Sequence, residues 1–334
     1  MNTIESIAVY GAGSWGTALA LQLARNQIAV QLWDISPDHI QVLQTERENK
    51  RYLPNISLPN LLVPNADLAQ VAKSSHYHLI VVPSHGMRAL LQHLKPLLNA
   101  QDVIIWATKG IELETGKLLH EVVLEELPFC QHYAVVSGPT FATEVASGLP
   151  TAMTVAANSE LLAQTIAKAF SAHNYRVYTS TDVVGVELGG AIKNVLAIAA
   201  GISDGLGYGA NARAAIITRG LAEIKRLSEV LGAQSETLMG LAGLGDLVLT
   251  CTDNQSRNRR LGLALGQGKD LESAIAEIGQ AVEGAKSARS IGLLAERAGV
   301  EMPICQQVYR ILYQGLAPAD AVKALIARDL KAEF

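Results

Sequence analysis

The sequence feature that most constrains the fold is a glycine-rich turn that stands between a predicted strand and a predicted helix. Residues 4–10 form a short apolar run with β-branched side chains, which predicts a buried strand. The turn Gly11-Ala-Gly-Ser-Trp-Gly16 follows directly, and an amphipathic helical pattern then covers residues 17–26. Because residues 28–33 predict a second strand, we interpret this region as a βαβ unit.

The glycines of this turn are placed as a dinucleotide requires. Gly11 permits the tight turn, Gly13 lets the backbone approach a pyrophosphate, and Gly16 allows close packing of helix on strand. Asp34 closes the second strand, where a carboxylate accepts hydrogen bonds from the ribose hydroxyls of NAD and repels the additional phosphate of NADP. The alternatives are a glycine-rich turn without a ligand, and an Asp34 that only starts the turn after it.

Further short apolar runs alternate with helical patterns through the first half of the chain. Residues 45–65 hold several charges and three prolines, so we expect a long loop over the cleft there. Alternation of this kind predicts a doubly wound α/β domain with a mostly parallel sheet, over residues 1–182. The remaining predicted strands cover residues 78–83, 103–108, 133–137, 151–156 and 176–178.

Two segments stand where predicted strands end, at the edge where such sheets bind ligands. Lys109 follows one strand and favours an anionic ligand, with an ordinary exposed lysine as the alternative. Gly138 and Pro139 follow another strand, either near a ligand or only as a turn. Thr140 adds a hydroxyl that a substrate can use.

Residues 183–201 form an apolar run, long enough for a buried helix, that nevertheless contains Lys193. Three interpretations remain open. The run spans a membrane, although Glu187 and Lys193 would each cost about 2.5–3.5 kcal/mol near the bilayer centre. Alternatively, it is a core helix whose lysine reaches the surface, or it holds a catalytic lysine at the bottom of a cleft.

The second half of the chain, residues 183–334, predicts a mostly α-helical domain, because strand signals stop after residue 178. Asp246 lies in a glycine-flanked apolar segment that we expect to be a loop, either at a ligand or as a turn residue. Ser256, Arg257 and Asn258 suit a phosphate group, with a solvated helix start as the alternative. Glu283 is either a cofactor contact or an acid at a helix N-terminus. The predicted later helices cover residues 212–231, 270–279, 284–298, 304–313 and 318–328.

The composition limits the class of protein. A chain of 334 residues is expected to form two domains, and a net charge of −4 argues against broad nucleic-acid binding. The three cysteines lie far apart and have neither disulfide nor metal-ligand spacing, so we expect a reducing cytoplasm and no metal. The N-terminus shows no signal-peptide pattern. All eight histidines lie between His39 and His173, so a proton-transfer group in the second half must be another side chain.

Together these segments resemble the bacterial NAD(P)-dependent glycerol-3-phosphate dehydrogenases over essentially the whole chain. Five sequence blocks carry this resemblance, and their occurrence together in this order is hard to obtain by chance. The resemblance implies a Rossmann-like domain followed by an all-α domain like the C-terminal domain of 6-phosphogluconate dehydrogenase, a homodimer, and a role in glycerophospholipid synthesis. The most specific blocks are Trp106-Ala-Thr-Lys-Gly110, Ser137-Gly-Pro-Thr-Phe-Ala142, Glu187-Leu-Gly-Gly-Ala-Ile-Lys-Asn194, Leu241-Ala-Gly-Leu-Gly-Asp-Leu247 and residues 251–260.

The resemblance also implies roles for individual residues. One departure concerns Ile35, because members that use NADPH tend to carry a basic or imidazole side chain there, so a preference for NADPH is in doubt. The residues implied to surround glycerol 3-phosphate or dihydroxyacetone phosphate are Lys109, Gly138, Thr140, Lys193, Asp246, Ser256, Arg257 and Asn258. The residues implied to contact NAD(P), beyond Gly11, Gly13, Gly16 and Asp34, are Ser14, Trp15, Lys109, Ala142, Arg257, Ala281 and Glu283.

The implied reaction is hydride transfer between nicotinamide C4 and C2 of dihydroxyacetone phosphate, with Lys193 as proton donor and acceptor. That task needs a pKa lowered from about 10.4 towards 7–8, which burial and a neighbouring Lys109 would favour. Asp246 would orient the ammonium group and limit the shift. Two alternatives stay open: a related dehydrogenase of hydroxy acids or hydroxyacyl thioesters, and an NAD(H)-sensing protein without turnover.

Overall fold

The computed structural model describes residues 3–329 and 332, which form a sheet domain followed by a helical domain. The strands are β1 (Ser6–Tyr10), β2 (Ala29–Trp33), β3 (Glu48–Asn49), β4 (Leu53–Ser57), β5 (Leu62–Pro64), β6 (Tyr77–Ile80), β7 (Val103–Trp106), β8 (His132–Ser137), β9 (Thr151–Ala157) and β10 (Tyr175–Ser180).

Helices α1 to α7 cover the sheet domain and α8 to α16 build the helical domain. They are α1 (Ser14–Arg25), α2 (Pro37–Glu46), α3 (Leu68–Lys73), α4 (Ser84–Leu94), α5 (Leu119–Glu126), α6 (Ala142–Ala146), α7 (Glu160–Phe170), α8 (Val183–Gly205), α9 (Ala210–Val230), α10 (Ser235–Met239), α11 (Asp246–Thr252), α12 (Arg257–Gly266), α13 (Leu271–Ile278), α14 (Glu283–Ala298), α15 (Pro303–Gln314) and α16 (Pro318–Ile326).

Eight strands form one sheet in the order β10-β9-β8-β7-β6-β1-β2-β5, and every neighbouring pair is parallel except β8 with β9. Side chains of β1 alternate between two cores, with Ile7 and Val9 in one and Ala8 and Tyr10 in the other. Such burial on both faces is typical of a doubly wound sheet. The chain leaves β1 on one side and returns to β6 on the other, so the ligand crevice is expected between these strands.

The structure corrects the prediction of a long loop over residues 45–65. Helix α2 continues to Glu46, β3 and β4 form a small antiparallel hairpin, and β5 joins the main sheet beside β2. The hairpin packs on the glycine turn, where Asn49 Nδ2 donates to the Ala12 carbonyl oxygen at 2.9 Å. The prolines misled the prediction because Pro54 and Pro64 lie in short strands that tertiary packing stabilises.

Helix α8 is the centre of the helical domain and packs against α9, α11, α12 and α14. Its length and composition would suit a membrane span, but 89% of its most apolar 18-residue stretch is buried inside the protein. This burial favours a helix in the protein core over the membrane interpretation, and the buried Lys193 side chain, 8% exposed, contradicts the interpretation in which that lysine reaches the surface. Helix α12 crosses α8 so closely that no side chain fits between them: a Cβ on Gly201 would lie 2.1 Å from the Arg259 carbonyl oxygen, and one on Gly262 would lie 2.1 Å from that of Ile198.

Candidate active site

The glycine turn presents an open backbone surface at the switch point of the sheet. Gly11 has φ +110°, and a Cβ there would lie 2.6 Å from the Val81 carbonyl oxygen, so only glycine fits. A Cβ on Gly16 would lie 1.9 Å from the Gly11 carbonyl oxygen, whereas one on Gly13 would meet no described atom within 4 Å. Helix α1 begins at Ser14 without a side-chain cap. Its first N–H groups therefore suit a pyrophosphate.

The Asp34 carboxylate is engaged by the backbone on both sides. Its Oδ2 accepts from the Ala12 N–H at 2.8 Å and its Oδ1 accepts from the Ser36 N–H at 3.0 Å. The turn interpretation of Asp34 is therefore present in the structure, and the ribose interpretation stays a prediction. Ile35 is 84% exposed, so the residue after Asp34 brings no positive charge to this edge.

Ser14 and Trp15 open α1 beside this surface. Ser14 Oγ donates to the Tyr52 carbonyl oxygen at 2.8 Å, which ties the β3–β4 hairpin to the glycine turn. The Nε1–H of Trp15 is buried and finds no hydrogen-bond partner within residues 3–329, as expected of a donor that faces a ligand. The contact through Tyr52 was missed from sequence, because only the hairpin brings that residue to the turn.

Lys193 points into the protein, from the middle of α8. Its side chain is 8% exposed, and its Nζ donates to Asp246 Oδ1 at 2.5 Å and to Thr250 Oγ1 at 2.8 Å. Thr250 Oγ1 in turn donates to the Asp246 carbonyl oxygen at 2.6 Å, so its lone pairs face the ammonium group. An ammonium group has three N–H donors, which leaves one for a further acceptor.

Lys109 reaches the same carboxylate from the sheet domain. Its Nζ donates to Asp246 Oδ2 at 2.8 Å and to the Gly138 carbonyl oxygen at 3.1 Å, and it lies 5.7 Å from the centre of the Trp15 ring. The alternative of an ordinary exposed lysine is thereby wrong. One buried carboxylate thus lies between two ammonium groups, and the cluster of three side chains has a net positive charge.

The pKa of Lys193 depends on its burial and on the two charged side chains beside it. Burial, helped by the charge of Lys109 and opposed by that of Asp246, lowers the pKa of Lys193 to about 8. Burial disfavours the charged form of a lysine, and a like charge nearby acts in the same direction. Both the ammonium and the amine forms are therefore accessible near neutral pH, as a general acid and base requires.

Asp246 itself corrects a second sequence prediction. It does not lie in a loop or turn, because residues 241–245 form a short π-helical segment that continues into α11 at Asp246. Gly243 packs there against the Leu238 backbone, so tertiary contact overrides the low helix propensity of glycine. Thr250 was not predicted as a site residue. Its spacing of four from Asp246 is the signal that places both side chains on one helix face.

Near Lys109, Gly138 and Thr140 shape the end of β8. The Thr140 hydroxyl donates to the Gly138 carbonyl oxygen at 3.1 Å, the same oxygen that accepts from Lys109. Ala142 is the first residue of α6 and is half-buried. Gly138 and Thr140 adjoin the cluster as predicted from the strand end, while the ligand contacts of Gly138, Thr140 and Ala142 stay predictions.

Ser256, Arg257 and Asn258 begin α12 and are largely buried, so the alternative of a solvated helix start is wrong. Ser256 is the N-cap, and its Oγ accepts from the Arg259 N–H at 3.2 Å. Asn258 Nδ2 donates to Asn194 Oδ1 at 2.9 Å, which joins the residue after Lys193 to the residue after Arg257. Burial lowers the pKa of the Arg257 guanidinium, whose Nη1 donates to Gln280 Oε1 at 3.2 Å.

Glu283 is the first residue of α14 and faces the sheet domain. The Ser84 hydroxyl, in the segment after β6, donates to Glu283 Oε2 at 3.5 Å. Burial raises the pKa of Glu283, while the charges of Lys286 and Arg257 oppose the rise. Glu283 is thus an acid in the first turn of a helix and also lies between the two domains. Ala281 lies exposed before this helix.

Metal-ligating side chains do not gather elsewhere in the described chain. Among residues 3–329 and 332, no group of three or more His, Cys, Asp or Glu side chains is arranged to hold a metal ion. The open surface at Gly13, the uncapped start of α1 and the unpaired Nε1–H of Trp15 instead fit a dinucleotide next to the Lys193 cluster.

Two family models match the chain, one in each domain. The model described as the N-terminus of NAD-dependent glycerol-3-phosphate dehydrogenase matches residues 6–163, and the model described as its C-terminus matches residues 182–323. Together they cover strands β1 to β9 and all helices from α8 to α15, with part of α16, while β10 lies between the two matched ranges.

Relatives of known name agree with these models over the full length. Glycerol-3-phosphate dehydrogenase [NAD(P)+] of Thioalkalivibrio sulfidiphilus is 56% identical over 98% of both chains. The crystal structure of glycerol-3-phosphate dehydrogenase from Coxiella burnetii is 50% identical, covers 97% of this chain and 99% of that one, and has a TM-score of 0.94. The glycerol-3-phosphate dehydrogenase of Saccharomyces cerevisiae is 28% identical, with a TM-score of 0.83 over 98% of this chain and 100% of that one.

Proposed function

The chain belongs to the NAD-dependent glycerol-3-phosphate dehydrogenase family, and from that membership we propose how its own residues divide the reaction. The reaction is the reversible reduction of dihydroxyacetone phosphate to sn-glycerol 3-phosphate with NAD(P)H. Membership decides against the two alternatives left open by the sequence, a hydroxy-acid dehydrogenase and a sensor without turnover.

Lys193 is the general acid and base. The carrying observation is its buried ammonium group, which uses two N–H donors on Asp246 and Thr250 and keeps one for the substrate oxygen at C2. In reduction, the third N–H gives its proton to the oxygen as the alkoxide forms, and the amine takes a proton back in the reverse reaction. A pKa of about 8 supports both directions near neutral pH.

Asp246 holds the two lysines in place. Its two oxygens fix the ammonium groups of Lys193 and Lys109, so neither has to reorient during the reaction. Lys109 contributes a positive charge that attracts an anionic substrate. The phosphate group is bound by Ser256, Arg257 and Asn258 at the start of α12. Gly138 and Thr140, beside Lys109, also contact the substrate, and together these residues place C2 near Lys193.

The dinucleotide is held by the glycine turn and by residues from both domains. These residues are Ser14, Trp15, Asp34, Lys109, Ala142, Arg257, Ala281 and Glu283. When bound, the nicotinamide supplies the hydride to C2 or accepts it. We propose a preference for NADH over NADPH, because Asp34 places a negative charge at the ribose end of the turn and the exposed Ile35 offers no cation. The Lys109 ammonium beside the Trp15 ring places the turn next to the Asp246 cluster.

Four further proposals rest on membership and on the sequence. The domains divide into residues 1–182 and 183–334, the enzyme is cytoplasmic, and its product feeds glycerophospholipid synthesis. The chain forms a homodimer, for which the exposed apolar side chains Tyr208, Val230 and Ile326 on the helical domain offer contact surface. Light scattering on a sizing column, over a range of protein concentrations, tests the dimer.

A spectrophotometric assay tests the function. Purified protein receives dihydroxyacetone phosphate with NADH or NADPH in parallel wells, and absorbance at the reduced nicotinamide band is followed. We expect oxidation of the cofactor that needs the phosphorylated ketone. Dihydroxyacetone without phosphate should react far more slowly, because the positive cluster and Arg257 then have no anion to bind. Equal rates with both ketones would contradict the phosphate assignment.

A further inference from the structure

Glu187 is a buried carboxylate that the reaction described above does not use. It lies in α8 with its side chain 2% exposed, and it accepts three hydrogen bonds from the sheet domain. Trp106 Nε1 donates at 3.1 Å, the His120 backbone N–H at 2.9 Å, and His120 Nδ1 lies 2.5 Å from the other carboxylate oxygen. A carboxylate in such a place is expensive to bury, so its donors must hold it in one position.

One of these donors, Trp106, belongs to the segment that carries Lys109, whereas His120 lies further along the chain in α5. Strand β7 ends at Trp106, and Lys109 stands three residues further on. On α8, Glu187, Gly190 and Lys193 are also spaced by three and lie along one ridge of the helix. A Cβ on Gly190 would lie 2.8 Å from Ser137 Oγ and 3.7 Å from Lys109 Cγ, so the middle of the ridge contacts the strand ends directly.

The same two segments therefore meet at two polar contacts. At one end, Glu187 binds Trp106 and His120, and at the other, Lys193 and Lys109 share Asp246. The glycine between them permits close approach but gives no directional bond. The hydrogen bonds of Glu187 are directional, so they limit how far α8 can slide or turn along the segment of Lys109.

We propose that Glu187 is a positioning residue, which sets the register of α8 against residues 106–109 and thereby the placement of the Lys193 and Lys109 ammonium groups on Asp246. This inference rests on the proposed function of Lys193 and Lys109. The pKa of His120 is consistent with a strong contact between His120 and Glu187. Burial alone would lower this pKa, but the hydrogen bond to Glu187 and the charge of Glu187 outweigh burial and raise it.

A double-mutant cycle tests the proposal. Glu187→Gln keeps an acceptor for the Trp106 and His120 N–H groups but removes the charge, and Lys109→Met removes the second ammonium group. We expect Glu187→Gln to lower kcat about 5- to 50-fold with an unchanged KM for NADH. In the Lys109→Met background the same change should lower kcat much less, because the effects of coupled residues are not additive. Replacement by Leu, which leaves the donors unpaired, should lower kcat more than replacement by Gln.

Glu223 supplies the matched control. It is 3% exposed in α9 and accepts backbone N–H bonds from Ile304 and Cys305 at the start of α15, so its hydrogen bonds lie within the helical domain. Glu223→Gln should lower thermal stability, and any effect on kcat should be the same with and without Lys109→Met. This separates general destabilisation from positioning.

Defined results overturn the proposal. A wild-type kcat for Glu187→Gln, or an equal loss in both backgrounds, refutes it. If that variant does not fold, Trp106→Phe is cycled against Lys109→Met instead. It keeps an aromatic ring and removes the Nε1 donor, and the packing lost with the smaller ring should cost the same in both backgrounds, so the same criterion applies. Failure of the proposed function is a separate result: a Lys193→Met enzyme with normal turnover would remove the acid and base whatever Glu187 does.

Discussion

Lys109 in the sheet domain and Asp246 in the helical domain form a 2.8 Å ion pair that crosses from one domain to the other. The second oxygen of the same carboxylate holds Lys193. The site therefore exists only when both domains are in contact, because the sheet supplies one ammonium group and the helices supply the other together with the carboxylate.

The first prediction concerns the amine of Lys193. Lys193→Met keeps most of the side-chain length and removes the proton donor, so kcat should fall by about 10²-fold or more while NADH binding persists. Steady-state kinetics and a fluorescence titration with NADH measure the two effects. Lys225→Met, at an exposed position on α9, is the control and should leave kcat unchanged.

The second prediction concerns pH. Reduction needs the Lys193 ammonium, which is present below a pKa of about 8, so kcat for reduction should fall as pH rises through that value. Oxidation needs the amine, so its kcat should rise over the same range. Rates in both directions in one buffer series check the sign. Two profiles that move in the same direction would show that another group limits turnover.

The third prediction concerns Asp246. Asp246→Asn keeps the shape but removes the charge that raises the pKa of Lys193, so the pKa should fall below its wild-type value. The decline of kcat for reduction should then begin at lower pH. Asp320→Asn, in an exposed pair with Lys323, serves as the charge-matched control. An unchanged profile for Asp246→Asn would contradict the arrangement of one carboxylate between two lysines.

The fourth prediction concerns cofactor choice. With Asp34 at the end of β2 and an aliphatic Ile35, kcat/KM should be higher with NADH than with NADPH. Replacing Asp34 by Ser and Ile35 by Arg should shift the ratio towards NADPH, because a repelling charge is exchanged for one that binds the additional phosphate. A clear NADPH preference in the unchanged enzyme would refute the ribose role of Asp34.

The fifth prediction concerns the crossing of α8 and α12. Gly262→Ala places a Cβ 2.1 Å from the Ile198 carbonyl oxygen, so the helices must separate, and stability should fall by about 1–3 kcal/mol. Gly292→Ala in α14 is the matched control, since its Cβ meets no described atom within 4 Å. That variant should gain about 0.5–1 kcal/mol from helix propensity. Chemical denaturation measures both.

The sequence predicted the features that depend on local pattern. The βαβ unit, the strand ends that carry Lys109 and Gly138, and the helical second half follow from periodicity and glycine placement. Lys193 was predicted as a candidate because burying an ammonium group in an apolar run is costly, so such a lysine is rarely left without a partner. The fold class and the family were confirmed by the structure and by the relatives.

What the sequence did not predict depends on contacts between distant segments. The β3–β4 hairpin has strands of two and five residues, too short for a periodic signal, and it is held by Asn49 and Tyr52 against the glycine turn. The helical state of Asp246 depends on close packing of Gly243, which propensity does not describe. The sequence did not predict the hydrogen bonds of Glu187, because its three donors belong to residues that lie at least 67 positions away along the chain.

Helix α8 leaves the ribosome before the segments that enclose it. Helices α9, α11, α12 and α14 all follow it in the sequence, so a nascent chain that stops near residue 205 displays an apolar segment of 23 residues with the length of a membrane span. Aggregation and chaperone capture should therefore concentrate at this stage of synthesis. Truncations of the enzyme that end soon after α8 should be insoluble, although their sheet domain is complete.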